Sequence, residues 1–409
     1  MSEESGGRGA AGARQGPLAG VRILDLSAVV SGPMATMVLA DQGADVIKVE
    51  PPRHGDEARQ LANYRNGMAG LYLTSNHEKR SIGINLKKPE GKALFDELLK
   101  TSDVIVSNWR PGTAERLGLG EADVREINPE IVYAAVVGYG DDGPYADRRG
   151  YDPIFQALTG YVSAQLNPEI PIPDLVRHAV IDKATAYTLA QGITAALLAR
   201  ERGAPGQSVR VTMLDAGIAF FWPDGMLRHC MVGDDVANPM VPGERYTLTP
   251  TKDGQIVFWA STADQMQGTL RAVGREDLAN SRRHQGKALI EPANMEERVT
   301  AVAEGLARME TRDAYAALVE EQVPVAPILS QTEVLEDPQI VHNGTIVEAT
   351  HPIYGRYRRV RPAARFSETK FEMTKPAPMY SEDADAILEE LGHDAEARKT
   401  LRAQGVIPD

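Results

Sequence analysis

The chain of 409 residues has a single cysteine, Cys230, no excess of positive charge and no long apolar run. One thiol excludes an intramolecular disulfide and any multi-thiolate metal or iron–sulfur site, and it suits a reducing compartment such as the cytoplasm. Lys and Arg number 44 against 57 Asp and Glu, a formal charge of −13. A surface of that sign repels polyphosphate backbones at long range, so neither nucleic acid nor an anionic membrane is expected as a partner. The longest uncharged stretch, Ala184–Ala199, contains Thr, Tyr, Gln and Gly and falls short of the ~20 apolar residues of a membrane span. It reads as a buried helix of a soluble protein. The opening MSEESGGRGAAGARQGP lacks the apolar core of a signal peptide, and residues 1–16 read as a disordered tail. HExxH and phosphate-loop motifs are missing and the eight histidines are scattered, so metal catalysis is not expected.

What is present is ordinary globular material, 43% hydrophobic and 25% charged, long enough for two or three domains. The first two hundred residues alternate strand and helix signals. Short apolar runs at Val21–Leu26, Val46–Glu50, Ser81–Leu86, Asp103–Ser107 and Ile131–Val137 read as strands. A turn at Ser31-Gly32-Pro33 opens a helix that ends near Gly43, and Pro89 opens another that runs to about Lys100. This alternation predicts an α/β fold with a parallel sheet covered on both faces. From Pro223 to Ala326 the texture changes to a strand at Asp253–Ser261 and amphipathic helices near Gln265–Val273 and Met295–Met309, which reads as a smaller α+β domain. The expected organisation is a large domain over 17–222, a small domain over 223–326, and a segment 327–409 that returns to the large domain or crosses to a partner.

Three groups of residues invite a functional reading. Glu50 ends the second strand, where a ribose-binding acid would sit, but the turn Ser27–Pro33 has one glycine where a dinucleotide fingerprint wants three. Lys79-Arg80, Lys87-Lys88, Arg110, Arg116 and Arg148-Arg149 flank the strands. They are either solvated charge or, on loops beside Trp109, a site for a ligand that carries several phosphates and a purine. Asp152 precedes a helix in Gly150-Tyr151-Asp152-Pro153, and Asp182 precedes the Ala184–Ala199 helix. Each suits a plain helix cap. Each could also be a carboxylate kept ionised by a helix N-terminus and able to act as a nucleophile. His178, four residues before Asp182, is either structural or an acid–base partner.

The segments GADVIKVEPPRHGDEAR, EKRSIGINLKKPEGK, NWRPGTAERLGLG, GYGDDGPYADRRGYDPIFQALTG and GAPGQSVRVTMLDA occur in this order, followed by VPVAPILSQTEVLEDPQ and a closing LEELG and GVI. Together they resemble the class III CoA-transferases, the formyl-CoA/carnitine-CoA transferase family, over roughly residues 17–408. The resemblance implies a Rossmann-like large domain with a parallel sheet, a smaller inserted domain, and a homodimer whose chains interlock like links. It implies acyl-CoA and carboxylate substrates, with coenzyme A as substrate and carrier and no other cofactor.

By the same resemblance Asp182 is the nucleophile, and Asp152 stands where a second acidic residue lies near the thioester. Positions that contact coenzyme A fall on Val30, Ser31, Ile84, Lys87, Asn108, Trp109, Arg110, Arg116 and Arg149, with Tyr151 beside them. Lys87, Arg110, Arg116 and Arg149 would hold the phosphates, and Trp109 and Ile84 the adenine. The chain also departs from the formyl-CoA branch. It has Val30-Ser31 where that branch has a Gln before Gly-Pro, and Asp224–Ser261 has no glycine run. The family includes α-methylacyl-CoA racemases, which are the alternative reading, but the histidine they carry before the acidic residue is Tyr151 here.

Overall fold

A computed structural model describes residues 15–165, 172–237, 241, 243 and 246–409. The expected N-terminal tail lies almost wholly outside the described residues; of it, Gln15 and Gly16 pack against Gln42 and Gly43. The described chain divides into two contact units. One comprises the residues up to Leu227 together with Thr345–Asp409, and the other Arg228–Gly344.

The first unit is built on six parallel strands: β1 (Arg22–Asp25), β2 (Asp45–Glu50), β3 (Lys79–Gly83), β4 (Val104–Ser107), β5 (Val132–Val137) and β6 (Ser208–Thr212). Their order across the sheet is β3-β2-β1-β4-β5-β6, all pairs parallel. Neighbouring side chains along a strand point to opposite faces, and here both faces are apolar. Ile23, Val46, Val104 and Val132 pack on one side with α1 (Ser31–Ala40), α4 (Val180–Glu201) and α5 (Met213–Gly225). Leu24, Ile47, Ile105 and Tyr133 pack on the other with α2 (Pro89–Lys100). α3 (Asp152–Leu158) adds the fully buried Phe155 to the first face.

The strand β6 was not expected from sequence, and its composition explains why. Ser208–Thr212 alternates apolar and polar residues at the sheet edge and is only partly buried, so it lacks the continuous apolar run of the inner strands. The third strand also starts two residues earlier than the expected Ser81, because Lys79 and Arg80 are paired inside the protein.

Thr345–Asp409 completes the second face. Ile387 and Leu388 of α6 (Ala384–Glu390), with Val406 and Ile407, enter the core beside Ile82 and Leu98. The Asp383 carboxylate accepts the Ser81 N–H at 2.8 Å, and the Val406 carbonyl accepts the Asn85 N–H at 2.8 Å. The other unit holds a three-stranded antiparallel sheet, Thr249–Pro250, Gln255–Phe258 and Val325–Pro327. Helices Ala263–Ala272, Pro292–Ala307 and Thr311–Glu320 pack around Ile256, Leu270, Val302, Leu306 and Leu318. This unit starts and ends later than the sequence-expected 223–326.

The C-terminal return is a structural part of the first unit, so Ile387→Ala should destabilise that unit by ~2–5 kcal/mol, the cost of a buried cavity. A chemical-denaturation midpoint unchanged from wild type would contradict this packing.

Candidate active site

Because every strand of the six-stranded sheet is parallel, the loops after β1, β2, β3, β4 and β5 all emerge at one edge of it. The order runs outward from β1 through β2 to β3 on one side and from β4 to β6 on the other. The gap between β1 and β4 is therefore the switch point, where open α/β sheets hold ligands. Here the loop after β4 grips the loop after β1. Asn108 Nδ2 donates to the Ala28 carbonyl at 2.7 Å, and its Oδ1 accepts the Ala28 N–H at 2.9 Å. α4 is the crossover from β5 to β6, so it too begins at this edge.

Asp182 is the third residue of α4 and is half-buried. Its carboxyl is pushed up to about 6, first by burial and then by the negative charge of Asp152; a hydrogen bond from the Ser31 hydroxyl works the other way. Ser31, the first residue of α1, is itself buried. Asp152 is buried at the start of α3. Its Oδ2 accepts the N–H groups of Ile181 at 2.7 Å and Asp182 at 3.0 Å, and its Oδ1 accepts Gln156 Nε2 at 2.5 Å. Gln156 also holds the incoming chain, through the Val176 N–H at 2.9 Å and the Val176 carbonyl at 3.1 Å.

Neither aspartate is the plain cap of its own helix. The N-cap of α3 is Tyr151 and that of α4 is Ala179, neither with a capping side chain. Asp152 caps α4 from another element. This corrects the expectation that the helix N-terminus keeps Asp182 ionised. The N–H donors of the first turn are engaged by Asp152, whose charge adds to burial in raising the Asp182 carboxyl. His178 is exposed, with its Nδ1 3.4 Å from Lys183 Nζ.

The residues expected to touch coenzyme A divide into two sets. Val30, Ser31, Lys87, Trp109, Arg110, Arg149 and Tyr151 lie on the loops, or the residues just after them, at the carboxyl edge. Lys87, Arg110, Arg149 and Tyr151 are exposed there and Trp109 is half-buried. Arg116 follows the β4 loop and is also exposed, its guanidinium on the Thr113 hydroxyl at 2.9 Å. Two expectations are corrected. Ile84 is 1% exposed and packs in the core, so it presents no surface to an adenine. The side-chain amide of Asn108 is committed to Ala28 on both sides, so it is a loop clamp.

The pair Lys79-Arg80 is not loop charge. Lys79 Nζ donates to Asp25 Oδ2 at 2.9 Å, and Arg80 pairs with Asp45 at 2.5 Å and Glu390 at 2.6 Å. Glu50 is no ribose acid. Both its oxygens take the Arg59 guanidinium at 2.8 Å, and Ser81 Oγ donates to it at 2.6 Å. Sequence reasoning missed the buried group to which Lys79 belongs, with Asp25, Lys48 and Asp56. The available signal was a charge inside an apolar strand, Asp25 in ILDL and Lys48 in VIKVE.

Were Asp182 to act as the expected nucleophile, its ionised form would be the reactive one, and activity should rise with pH through about 6 and level off above it. Asp152→Asn keeps an acceptor for the α4 N–H groups and removes the like charge, so it should move this acidic limb to lower pH. A kcat/KM profile with an unmoved limb would contradict the assigned interaction.

Among the described residues, no helix is long and apolar enough to cross a membrane, and no cluster of three or more His, Cys, Asp or Glu could hold a metal ion. The chain is 33% identical over 400 residues to the succinyl-CoA:glutarate CoA-transferase of Mus musculus, covering 96% of this chain and 90% of that one. It is 28% identical over 403 residues to the formyl-CoA:oxalate CoA-transferase of Escherichia coli O157:H7, covering 92% of this chain and 96% of that one. A CAIB/BAIF family protein from Brucella suis superposes with a TM-score of 0.78 at 27% identity, over 92% of this chain and 100% of that one. The family described as CoA-transferase family III matches residues 18–384, and the chain belongs to it.

Proposed function

We propose that the protein transfers coenzyme A from an acyl-CoA thioester to a free carboxylate, with Asp182 as the covalent nucleophile. The observation that carries this reading is the Asp182 carboxyl itself. It stands at the carboxyl edge of the sheet, made more basic by burial and by Asp152, and touched by Ser31. Basicity and partial desolvation are what a carboxylate needs in order to attack a thioester.

The steps balance without a redox partner or a net proton. An Asp182 oxygen attacks the thioester carbonyl; the C–S bond breaks, a mixed acyl–aspartyl anhydride forms, and coenzyme A leaves as thiolate. The thiolate attacks the aspartyl carbonyl, which forms an aspartyl-CoA thioester and releases the donor acid with one Asp182 oxygen. The acceptor carboxylate then displaces the thiolate to form a second anhydride, and the thiolate attacks the acceptor carbonyl to give the new acyl-CoA and free Asp182. Anhydride and thioester both hydrolyse, so the site must exclude water, and a half-buried Asp182 is consistent with that need.

Lys87, Arg110, Arg116 and Arg149 are the cations proposed for the coenzyme A phosphates, with Trp109 for the adenine. They supply positive charge locally on a chain whose net charge is −13. The greater identity to a succinyl-CoA:glutarate enzyme than to a formyl-CoA:oxalate enzyme supports a longer dicarboxylate acceptor than oxalate. We infer an interlocked homodimer, supported by the family resemblance and by Tyr187, Leu198, Phe220 and Trp222 exposed on α4 and α5. A cytoplasmic location is inferred from the single cysteine. The racemase alternative needs a second base, and the groups acting on the Asp182 carboxyl are Asp152 and Ser31, with no histidine among them.

Asp182→Ala should lower kcat by ~10³-fold or more in a panel of succinyl-, acetyl- and formyl-CoA against dicarboxylate acceptors. Hydroxylamine added during turnover should leave a hydroxamate on the peptide containing Asp182. An active Asp182→Ala, or deuterium wash-in at C2 of an acyl-CoA without acceptor, would overturn the reading. Arg110→Ala should raise KM for acyl-CoA about 10- to 100-fold, the worth of one charge-assisted contact.

A further inference from the structure

Beneath the loop that precedes Ser31 lies a group of buried charges that the transfer chemistry does not use. Asp25 ends β1 with 0% exposure. Burial alone would raise its carboxyl, yet Lys48 and Lys79 hold it well below the usual carboxylate range. Lys48 Nζ lies 3.7 Å from Asp25 Oδ2 and 2.9 Å from Asp56 Oδ2, and donates to the Ser27 carbonyl at 2.5 Å. Asp56 Oδ1 accepts the Val29 N–H at 3.0 Å and the Ala58 N–H at 2.9 Å.

Val29 has φ +70°, a left-handed conformation that a β-branched residue takes only when its surroundings impose it. Asn108 holds both polar groups of the intervening Ala28. The first turn of α1 is pinned by the same charges: Lys79 Nζ donates to the Pro33 carbonyl at 2.7 Å, and Thr36 Oγ1 donates to Asp25 Oδ2 at 2.7 Å. A Cβ on Gly32 would lie 2.2 Å from Ser27 Cβ, so loop and helix start close on each other with no room for a side chain.

The geometry points to Asp56 and Lys48 as positioning residues: they impose the backbone of Ser27–Val29 and so set the Ser31 hydroxyl on the Asp182 carboxyl. Neither residue touches substrate; each acts through the loop. This rests on the reading of Asp182 as nucleophile. A fixed Ser31 keeps the carboxylate aimed at the thioester and stabilises its ionised form, whereas a mobile loop would lose both.

The test is a double-substitution cycle of Asp56→Ala and Ser31→Ala, read as kcat, KM and pH profile. Asp56→Ala should lower kcat about 10- to 100-fold, the scale of a misplaced reactive group. Its acidic limb should move to higher pH, as should that of Ser31→Ala. The double variant should be no worse than the more impaired single variant. Asp56→Asn keeps an acceptor for Val29 but sets an amide N–H group against Lys48 Nζ, so it should recover part of the lost rate.

Additive losses, or equal impairment in Asp56→Ala and Asp56→Asn, overturn the positioning role. If the alanine variant does not fold, amide exchange in the unaltered protein decides. The peptide over Ser27–Ser31 should exchange at least about tenfold slower than the exposed loop Asp141–Asp147, and equal rates overturn the proposal. Asp182→Ala in the same assay separates the two ideas. Full activity there removes the nucleophile, whereas inactivity with an additive cycle removes only the positioning role.

Discussion

A fully buried carboxylate at the end of an inner strand is the constraint from which the site follows. Asp25 cannot stay charged in that position without partners, and β2 and β3 supply them as Lys48 and Lys79. Three adjacent strands are thereby tied at their edge by charge as well as by backbone hydrogen bonds. A buried ionic group of this kind contributes little net stability compared with an apolar core of the same shape. What it supplies is directional: fixed donors and acceptors that hold a loop which apolar packing alone would leave free. The ordering reaches from Asp25 through Lys48 and Asp56 to Val29, and from Asp25 through Thr36 and Lys79 to the start of α1.

Two further carboxylates share the site and are driven to different tasks by their surroundings. Asp152 is saturated with donors, two backbone N–H groups and the Gln156 amide, and so suits a structural anion at the head of α4. Asp182 is partly desolvated beside that anion, with the Ser31 hydroxyl as its donor, and its carboxyl is raised. Surroundings that raise the Asp182 carboxyl and spend the Asp152 oxygens on helix and amide donors suit the first to the proposed chemistry and the second to support. The parallel sheet does the rest, since it brings the exposed cations after β3, β4 and β5 to the same edge as Asp182.

Much of this was legible from residue patterns where burial alone decides structure. The inner strands are continuous apolar runs because both their faces are covered, and α2 begins at Pro89 because its ring suits a first helical turn. The edge strand Ser208–Thr212 was hidden, since a half-exposed strand does not have that run. Asp182 and Asp152 could be picked out as candidates, but not their relation. Capping between helices joins residues that sequence places 30 apart, and no local spacing signals it. Lys79, Arg80 and Glu50 looked like ligand-binding charge because a charged residue at a strand end is as consistent with a buried pair as with a loop. Ile84 and Asn108 lie beside the proposed coenzyme A loops, yet packing turns one to the core and spends the other on Ala28.

Oxygen exchange tests the central claim most directly, because the proposed route moves one oxygen atom from the acceptor acid into the enzyme in every cycle. The protein is turned over with an acyl-CoA donor and an acceptor carboxylate labelled with oxygen-18, then digested and analysed by mass spectrometry. Label is expected in the peptide containing Asp182, localised to its carboxyl group, and from the second turnover on it should also pass through the enzyme into the released donor acid. Efficient transfer without label in that peptide would contradict it.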